Sequence, residues 1–287
     1  MPKKLVWKFS KKYIAGETLQ EAVSLVKNLN SKGILATIDV LGEAVNNKSE
    51  AIESKIEASK VIDKIIIENL DANLSIKPTQ MGLSINSDFA YDQVSELVNK
   101  LFKVNNFLRI DMEDSPYTTL TINLYKKLRE KFNYDSVGVV IQSYLKRSLD
   151  DVKELNKINT NCRLCKGIYV ESPDIAFKER KIIQNNYLTL LEEMIKSGSY
   201  VGIATHDEYL INEAYKLIDK YKLSKDKFEF QMLLGVREDL RDKIVKDGYK
   251  MRIYVPYGVQ WYKYSIRRLK ENPAIAGSIF KNLFSLK

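Results

Sequence analysis

The sequence predicts an α/β protein folded as a (β/α)8 barrel of the TIM type. Short β-rich runs alternate with stretches of helical apolar periodicity, and parallel strands need a helix between them to return the chain. Eight such units fit into 287 residues, which is the usual size of this fold. An open doubly wound sheet is the alternative, but its phosphate-binding turn, G-x-G-x-x-G, does not occur in the sequence.

The predicted elements alternate in order along the chain. The predicted strands are 34–41, 74–78, 107–112, 137–142, 162–167, 200–205, 228–233 and 251–256. The predicted helices between them are 49–70, 88–103, 117–131, 147–158, 174–197, 208–221 and 236–247. We expect residues 1–32 to form an arm and an extra helix over 17–31, and residues 33–287 to form the barrel. Both belong to one domain.

Composition and charge exclude several functions. The chain has 46 Lys and Arg against 37 Asp and Glu, a formal charge of +9, but the basic residues are scattered and no nucleic-acid-binding motif occurs. No apolar run approaches the length of a membrane span, and the basic start lacks the apolar centre of a signal peptide. We therefore expect a cytoplasmic protein that does not bind nucleic acid. The basic, aromatic segment 279–284 is compatible with peripheral contact with the inner face of the cell membrane.

Polar residues recur at or near the ends of the predicted strands. They are Asp39, Lys77, Asp111, Gln142, Lys166, Thr205, His206, Gln231 and Tyr254. In a barrel of this type the active site lies at the C-terminal ends of the strands, whereas we expect charges buried lower in the barrel to lack compensation. The sequence therefore predicts an active-site rim.

The rim composition favours an organic anion over a metal ion. Asp39 and Asp111 are too few for a convincing hard-metal site. Cys162 and Cys165 are spaced as C-x-x-C, but residues three apart on a strand point to opposite faces, so we expect neither a disulfide nor a metal site. Lysines, arginines, amides and aromatic rings suit an anionic cofactor together with a carboxylate substrate.

A predicted helix near the end of the chain adds two adjacent guanidinium groups. Helical geometry places Tyr264, Arg267, Arg268 and Glu271 on one face. Paired arginines bind carboxylates through parallel hydrogen bonds, which indicates a small anionic ligand. A solvated face with an Arg267–Glu271 ion pair is the alternative.

Several motifs together resemble those of the FAD-dependent proline dehydrogenases, including the corresponding domain of bifunctional proline-utilisation enzymes. The matching segments are TIDVLGE (37–43), LSIKP (74–78), RIDME (109–113), VIQSYLKR (140–147), RLCKGIY (163–169), ATHDE (204–208), FEFQMLLG (228–235), RIYVPYG (252–258) and YSIRRLKEN (264–272). They occur in family order over almost the whole predicted barrel.

The resemblance implies a role for each matching residue. It implies that the last helix caps the C-terminal rim of the strands. The implied substrate-binding residues are Lys77, Asp111, Leu233, Tyr254, Tyr264, Arg267 and Arg268, with Glu271 orienting an arginine. The implied FAD-binding residues are Gln142, Arg163, Lys166, Gly167, Thr205 and His206.

The reaction that the resemblance implies is the oxidation of L-proline to 1-pyrroline-5-carboxylate. Hydride would pass from proline C5 to flavin N5, and the electrons would pass on to a quinone or a similar acceptor. Two alternatives stay open: another barrel flavoenzyme of the methylenetetrahydrofolate reductase type, and a basic barrel that binds a partner without catalysis.

Overall fold

Eight parallel strands close in chain order into a barrel. The computed structural model describes residues 6–7 and 10–271, and the side chains of residues 267–271 lie outside that description. The strands are β1 (Leu35–Val40), β2 (Ala72–Ile76), β3 (Leu108–Ile110), β4 (Val137–Gln142), β5 (Asn161–Cys165), β6 (Tyr200–Ala204), β7 (Phe228–Leu233) and β8 (Met251–Tyr257). Strand β8 pairs in parallel with β1 and closes the barrel. The predicted fold class is confirmed.

Among the described residues, seven α-helices connect successive strands, one precedes the first strand and one follows the last. They are α1 (Leu19–Asn30), α2 (Lys48–Ile67), α3 (Ser87–Phe102), α4 (Ser115–Arg129), α5 (Ser148–Asn156), α6 (Arg180–Lys196), α7 (Glu208–Lys220), α8 (Glu238–Lys246) and α9 (Trp261–Glu271). Within residues 6–7 and 10–271, every helix is too short or too polar to cross a membrane.

The prediction of a helix over 174–197 is wrong in its first six residues. Helix α6 begins at Arg180, and the preceding loop pairs instead with the loop after β4. Lys146 N–H donates to Ile175 O at 3.0 Å, and Phe177 N–H donates to Tyr144 O at 2.8 Å. These loop–loop bonds satisfy backbone groups that a longer helix would otherwise pair internally.

The N-terminal arm is bound to the end of the chain's last strand. Ala15 N–H donates to Pro256 O at 2.9 Å, and Gly258 N–H donates to Gly16 O at 3.0 Å. The rings of Trp7 and Trp261 lie 4.6 Å apart. Because α9 begins at Trp261, the arm holds the start of the last helix.

The apolar core lies between the strands and the surrounding helices. Strand residues such as Ile38, Leu74 and Ile110 belong to one continuous cluster of buried apolar side chains that also includes residues of the helices. Alternate residues of the same strands face the barrel axis, because successive strand side chains point to opposite faces. Most of these inward positions are polar. They include Thr37, Asn73, Ser75, Arg109, Asn161, Arg163, Glu229, Gln231 and Arg252.

The expectation that charges would be confined to the rim is therefore wrong. Glu229 and Arg252 each occupy the second position of their strands, low in the barrel, and form an ion pair with Arg252 Nε 2.6 Å from Glu229 Oε1. Arg109 donates to Val139 O at 3.0 Å and to Asn161 Oδ1 at 2.7 Å. Mutual pairing compensates charges that would be costly if isolated. A cavity of about 330 Å³ adjoins these side chains.

The Glu229–Arg252 pair predicts a pH-dependent contribution to stability. Burial alone would raise the pKa of Glu229, but the charge and hydrogen bonds of Arg252, together with the hydrogen bond from Gln231 and the charge of Arg109, hold this pKa below its usual value of 4.5. A carboxyl with a depressed pKa stabilises the native state above its usual pKa, and this contribution is lost as pH falls through the native pKa. We expect Glu229→Gln to lower the free energy of unfolding by about 3–5 kcal/mol at neutral pH. Denaturant titrations should show this difference shrinking below about pH 4.5. A difference that stays constant with pH would contradict this account.

Candidate active site

Most of the predicted site residues lie at the C-terminal ends of the strands. Four of them come directly after a strand: Lys77 after β2, Asp111 after β3, Lys166 after β5 and Thr205 after β6. Leu233 is the last residue of β7. Since parallel strands of a barrel end at the same rim, these residues share one end of the molecule.

Asp111 is the centre of a hydrogen-bonded cluster at this rim. Its Oδ1 accepts from Ser75 Oγ at 2.6 Å and from Arg163 Nη1 at 2.8 Å. Its Oδ2 accepts from Tyr254 OH at 2.7 Å. The Arg163 guanidinium lies 5.2 Å from the centre of the Tyr254 ring. The structure thus joins Arg163, predicted to bind the cofactor, to two residues predicted to bind the substrate.

The Tyr254 phenol stays protonated at neutral pH. Burial and the neighbouring Asp111 carboxylate raise the pKa of Tyr254 well above its usual value. The phenol therefore acts as a hydrogen-bond donor to Asp111, and its ring is available for packing.

Lys77 is held by a buried carboxylate. Its Nζ lies 2.7 Å from Asp39 Oδ1 and 2.9 Å from Oδ2, and Asp39 is 1% exposed. Burial alone would lower the pKa of Lys77, but the charges of Asp39 and Asp111 outweigh burial and raise it. Lys77 is therefore a fixed positive charge at the rim.

Gln142 and Gly167, near the ends of β4 and β5, are two of the residues predicted to hold the cofactor. Gln142 Nε2 donates to Met112 O and to Glu113 O, both at 3.2 Å, while the buried Oε1 has no hydrogen-bond partner in the described part of the chain. Gly167 has φ of 102°, and a Cβ there would collide with the ring of Tyr144. An unsatisfied buried amide oxygen suits a polar ligand, whereas glycine is required at position 167 by its positive φ and by the neighbouring Tyr144 ring. The residues present fit the predicted FAD.

The loop after β6 is fixed to the end of β7. His206 Nε2 accepts the backbone N–H of Leu233 at 2.9 Å. Thr205 Oγ1 accepts the N–H of Asp207 at 3.1 Å, and Asp207 caps the start of α7. Thr205 therefore has a structural role in addition to any contact with a ligand. Lys166, after β5, is exposed.

Tyr264 lies in a different environment from the one predicted. We expected it on a polar helix face, but it is buried in an apolar cluster with Trp261, Leu41, Val6 and Ile14. The N-terminal arm supplies part of this cluster, which periodicity within the helix does not reveal. Leu41 directly follows β1, so α9 packs beside the rim. The backbone of α9 includes Arg267, Arg268 and Glu271, but their side chains lie outside the described residues.

Two residues of the site were missing from the predicted set of binding residues. Ser75 donates to Asp111, and Asp39 pairs with Lys77. A sequence signal exists for both, because Ser75 and Lys77 are two apart on one strand face and Asp39 is near the end of a predicted strand.

The two cysteines lie in different surroundings. Cys162 is 1% exposed within the apolar layer, Cys165 is half-buried, and neither forms a disulfide bond. Among the described residues, no group of three or more His, Cys, Asp or Glu is arranged to hold a metal ion.

We predict that both cysteines are dispensable for catalysis. Replacing both with Ala should leave flavin content and turnover within about twofold of wild type, while the lost packing of Cys162 lowers stability by about 1 kcal/mol. Metal analysis, flavin absorbance and dye-coupled kinetics on the double variant check this expectation. Loss of a stoichiometric metal together with activity would show that it is wrong.

Fold and site together define a (β/α)8-barrel enzyme whose rim holds paired charges, a buried phenol and an unsatisfied amide oxygen. A family model for proline dehydrogenase matches residues 22–280. The chain is 35% identical over 274 residues to Proline dehydrogenase 1 of Bacillus subtilis subsp. natto, covering 96% of this chain and 90% of that protein. It is 31% identical over 281 residues to Proline dehydrogenase of Deinococcus radiodurans, covering 97% and 91% of the two chains.

A solved structure agrees with these sequence comparisons. Proline utilization A from Bdellovibrio bacteriovorus, inactivated by N-propargylglycine, superposes with a TM-score of 0.88 at 25% identity. The match covers 94% of this chain and 33% of the larger protein. The chain belongs to the proline dehydrogenase family, and it is an oxidoreductase of proline catabolism.

Proposed function

We propose that the protein oxidises L-proline to 1-pyrroline-5-carboxylate with FAD as its cofactor. The observation that carries the proposal is the cluster of Asp111, Arg163 and Tyr254, with the Lys77–Asp39 pair, at the rim of a barrel of this family. The cluster combines fixed positive charge with an aromatic ring, which suits a small amino acid with a carboxylate.

The residues proposed to hold FAD are Gln142, Arg163, Lys166, Gly167, Thr205 and His206. When bound, FAD supplies N5 as the acceptor of the hydride that leaves proline C5. Gln142 Oε1 offers a hydrogen-bond acceptor that has no partner within the described residues. Arg163 and Lys166 contribute positive charge that attracts the anionic parts of the cofactor.

The remaining rim residues are proposed to hold proline. Arg267 and Arg268 bind its carboxylate, and Glu271 orients one of the two arginines. The Tyr254 ring, Leu233 and Tyr264 pack around the pyrrolidine ring. Lys77 and Asp111 complete the polar side, where their pairing with Asp39 and Arg163 fixes their positions. Preorganised groups of this kind accelerate a reaction by orienting the reacting atoms and by excluding water.

The electrons pass to a quinone or a similar acceptor in this proposal. The protein acts in the cytoplasm, and the basic, aromatic segment 279–284 allows peripheral contact with the inner face of the cell membrane. Lysine and arginine side chains near a membrane surface are attracted by anionic lipids. Co-sedimentation with anionic vesicles, compared with neutral vesicles, tests this contact.

The experiment that tests the catalytic proposal is product identification under turnover. Purified protein supplemented with FAD is given L-proline and an artificial dye acceptor. We expect dye reduction and a product that is lighter than proline by a pair of hydrogen atoms. Protein with a full complement of flavin that reduces no dye and yields no such product would refute the assignment.

A further inference from the structure

A chain of hydrogen bonds extends from the candidate active site into the lower barrel. Arg163 Nε donates to Gln231 Oε1 at 2.6 Å, and Gln231 Nε2 donates to Glu229 Oε1 at 2.6 Å. Arg252 binds the same Glu229 carboxylate through Nε at 2.6 Å and Nη2 at 3.0 Å. These hydrogen bonds connect Arg163, which binds Asp111 beside Tyr254, to Gln231. Gln231 in turn connects them to the buried Glu229–Arg252 ion pair.

Gln231 can take only one orientation in this chain. Its side-chain oxygen faces a guanidinium donor and its side-chain NH2 faces a carboxylate acceptor. Rotating the amide by half a turn would place donor against donor and acceptor against acceptor. Gln231 is 5% exposed and Glu229 is 2% exposed, so such mismatches would be costly.

The neighbouring strand leaves space for the Gln231 amide. Gly202, on β6, faces the barrel interior, and a Cβ there would lie 2.5 Å from Gln231 Nε2. A side chain at this position would displace the amide from Arg163 or from Glu229. The absence of a side chain at position 202 thus supports the observed geometry.

Arg163 has room to move if Gln231 does not hold it. The cavity of about 330 Å³ in the lower barrel is lined by both Arg163 and Gln231. Arg163 Nη1 binds Asp111 on the rim side, whereas Nε binds Gln231 on the cavity side. Two anchors on different nitrogens fix the plane of the guanidinium, and one anchor leaves it free to rotate into the cavity.

We propose that Gln231, oriented by Glu229, is a positioning residue that holds the Arg163 guanidinium against Asp111 and thereby fixes Tyr254. The inference rests on the proposed function, because it assigns Gln231 to the proline-oxidising site. Gln231 touches neither substrate nor cofactor in this account and acts through Arg163. Misplacement of a site group by about 1 Å can lower a rate by about a hundredfold, which sets the expected size of the effect.

The test compares Gln231→Leu with a control at another buried amide of the barrel interior, Asn161. Gln231→Leu keeps similar volume and removes both hydrogen bonds, so kcat should fall by about tenfold to a hundredfold while KM for proline stays within about threefold. Asn161→Leu removes the buried bond to Arg109 Nη2, which is 2.7 Å long and does not belong to this chain of bonds. This control should lose stability but keep kcat within about threefold of wild type.

A second variant tests the role of Gln231 even if Gln231→Leu fails to fold. Gln231→Met matches the length of glutamine without branching and forms neither of the two hydrogen bonds, so kcat should again fall by about tenfold to a hundredfold. Wild-type kcat in either Gln231 variant, or an equal loss in Asn161→Leu, would overturn the proposal.

A spectroscopic measurement separates this inference from the proposed function. In FAD-loaded protein labelled with ¹⁵N-arginine, without proline, the Nε–H signal of Arg163 should exchange slowly with water. The signal is assigned by its absence in Arg163→Lys. In Gln231→Leu we expect exchange to accelerate by about tenfold or more because the Nε–H loses its buried acceptor. Unchanged exchange would contradict the proposal even if proline proved not to be the substrate.

Discussion

Replacing Asp111 with Ala is expected to lower kcat/KM by about a thousandfold and the free energy of unfolding by about 3–5 kcal/mol. The carboxylate accepts hydrogen bonds from Ser75, Arg163 and Tyr254. Its removal leaves a buried guanidinium without its counter-charge and a buried phenol without its acceptor. Steady-state dye reduction and urea denaturation measure the two losses.

Two further variants distinguish the lost charge from general damage. Adding Arg163→Met to Asp111→Ala removes the unpaired charge, so stability should recover by about 1–3 kcal/mol while activity stays low. Ser75→Ala removes one neutral donor and should cost only about 1 kcal/mol of stability. Near-wild-type kinetics in Asp111→Ala would show that the cluster does not serve the reaction.

Replacing either arginine of the last helix is expected to damage the capture of proline. If Arg267 and Arg268 jointly bind the substrate carboxylate, each substitution by Met should cost about 2–4 kcal/mol, or about 30-fold to 1000-fold in kcat/KM. Flavin content should stay unchanged, because the proposed FAD contacts are made by other residues. Glu271→Gln should have a smaller effect of the same kind.

The arginine variants also separate a ligand clamp from a solvated helix face. Arg268→Lys should rescue poorly, since an ammonium keeps the charge but not the planar pair of donors. On a solvated face, Arg268→Met would change stability by less than about 0.5 kcal/mol and leave kinetics unchanged. Wild-type kinetics in both Met variants would rule out the clamp.

The fold class could be predicted from sequence because its apolar residues follow two recognisable patterns, one of short strands and one of helices. Strand runs such as 137–142 are short and rich in β-branched residues, while the intervening stretches repeat their apolar residues with helical spacing. The start of α6 was not predictable in this way. Residues 174–179 bind a loop that is distant along the chain, and local periodicity does not reveal such a partner.

The polar lower barrel was also difficult to predict. A strand such as FEFQML alternates apolar and polar residues, which usually indicates one face towards solvent. Here the polar face turns towards the barrel axis, and its charges are neutralised by residues of other strands, as Glu229 is by Arg252. Glu229 and Arg252 are 23 positions apart in the sequence. The residues around either one therefore do not show that its charge is neutralised by the other.

The site was predictable as a set of strand-end positions but not as a network. Placement at the C-terminal rim follows from chain order in a parallel barrel. The pairing of Lys77 with Asp39 and of Arg163 with Asp111 depends on side-chain geometry across strands. The burial of Tyr264 depends on the N-terminal arm, which contributes Val6 and Ile14 to its cluster.

The central claim is that this site transfers a hydride from L-proline to a bound flavin. The most direct measurement is the visible spectrum of the FAD-loaded protein, mixed with L-proline in the absence of oxygen. We expect the flavin absorbance to bleach with L-proline and to remain with D-proline. In the Asp111→Ala variant, we expect the flavin absorbance to bleach far more slowly with L-proline. A folded, flavin-loaded wild-type protein whose spectrum does not change on addition of L-proline would contradict the account.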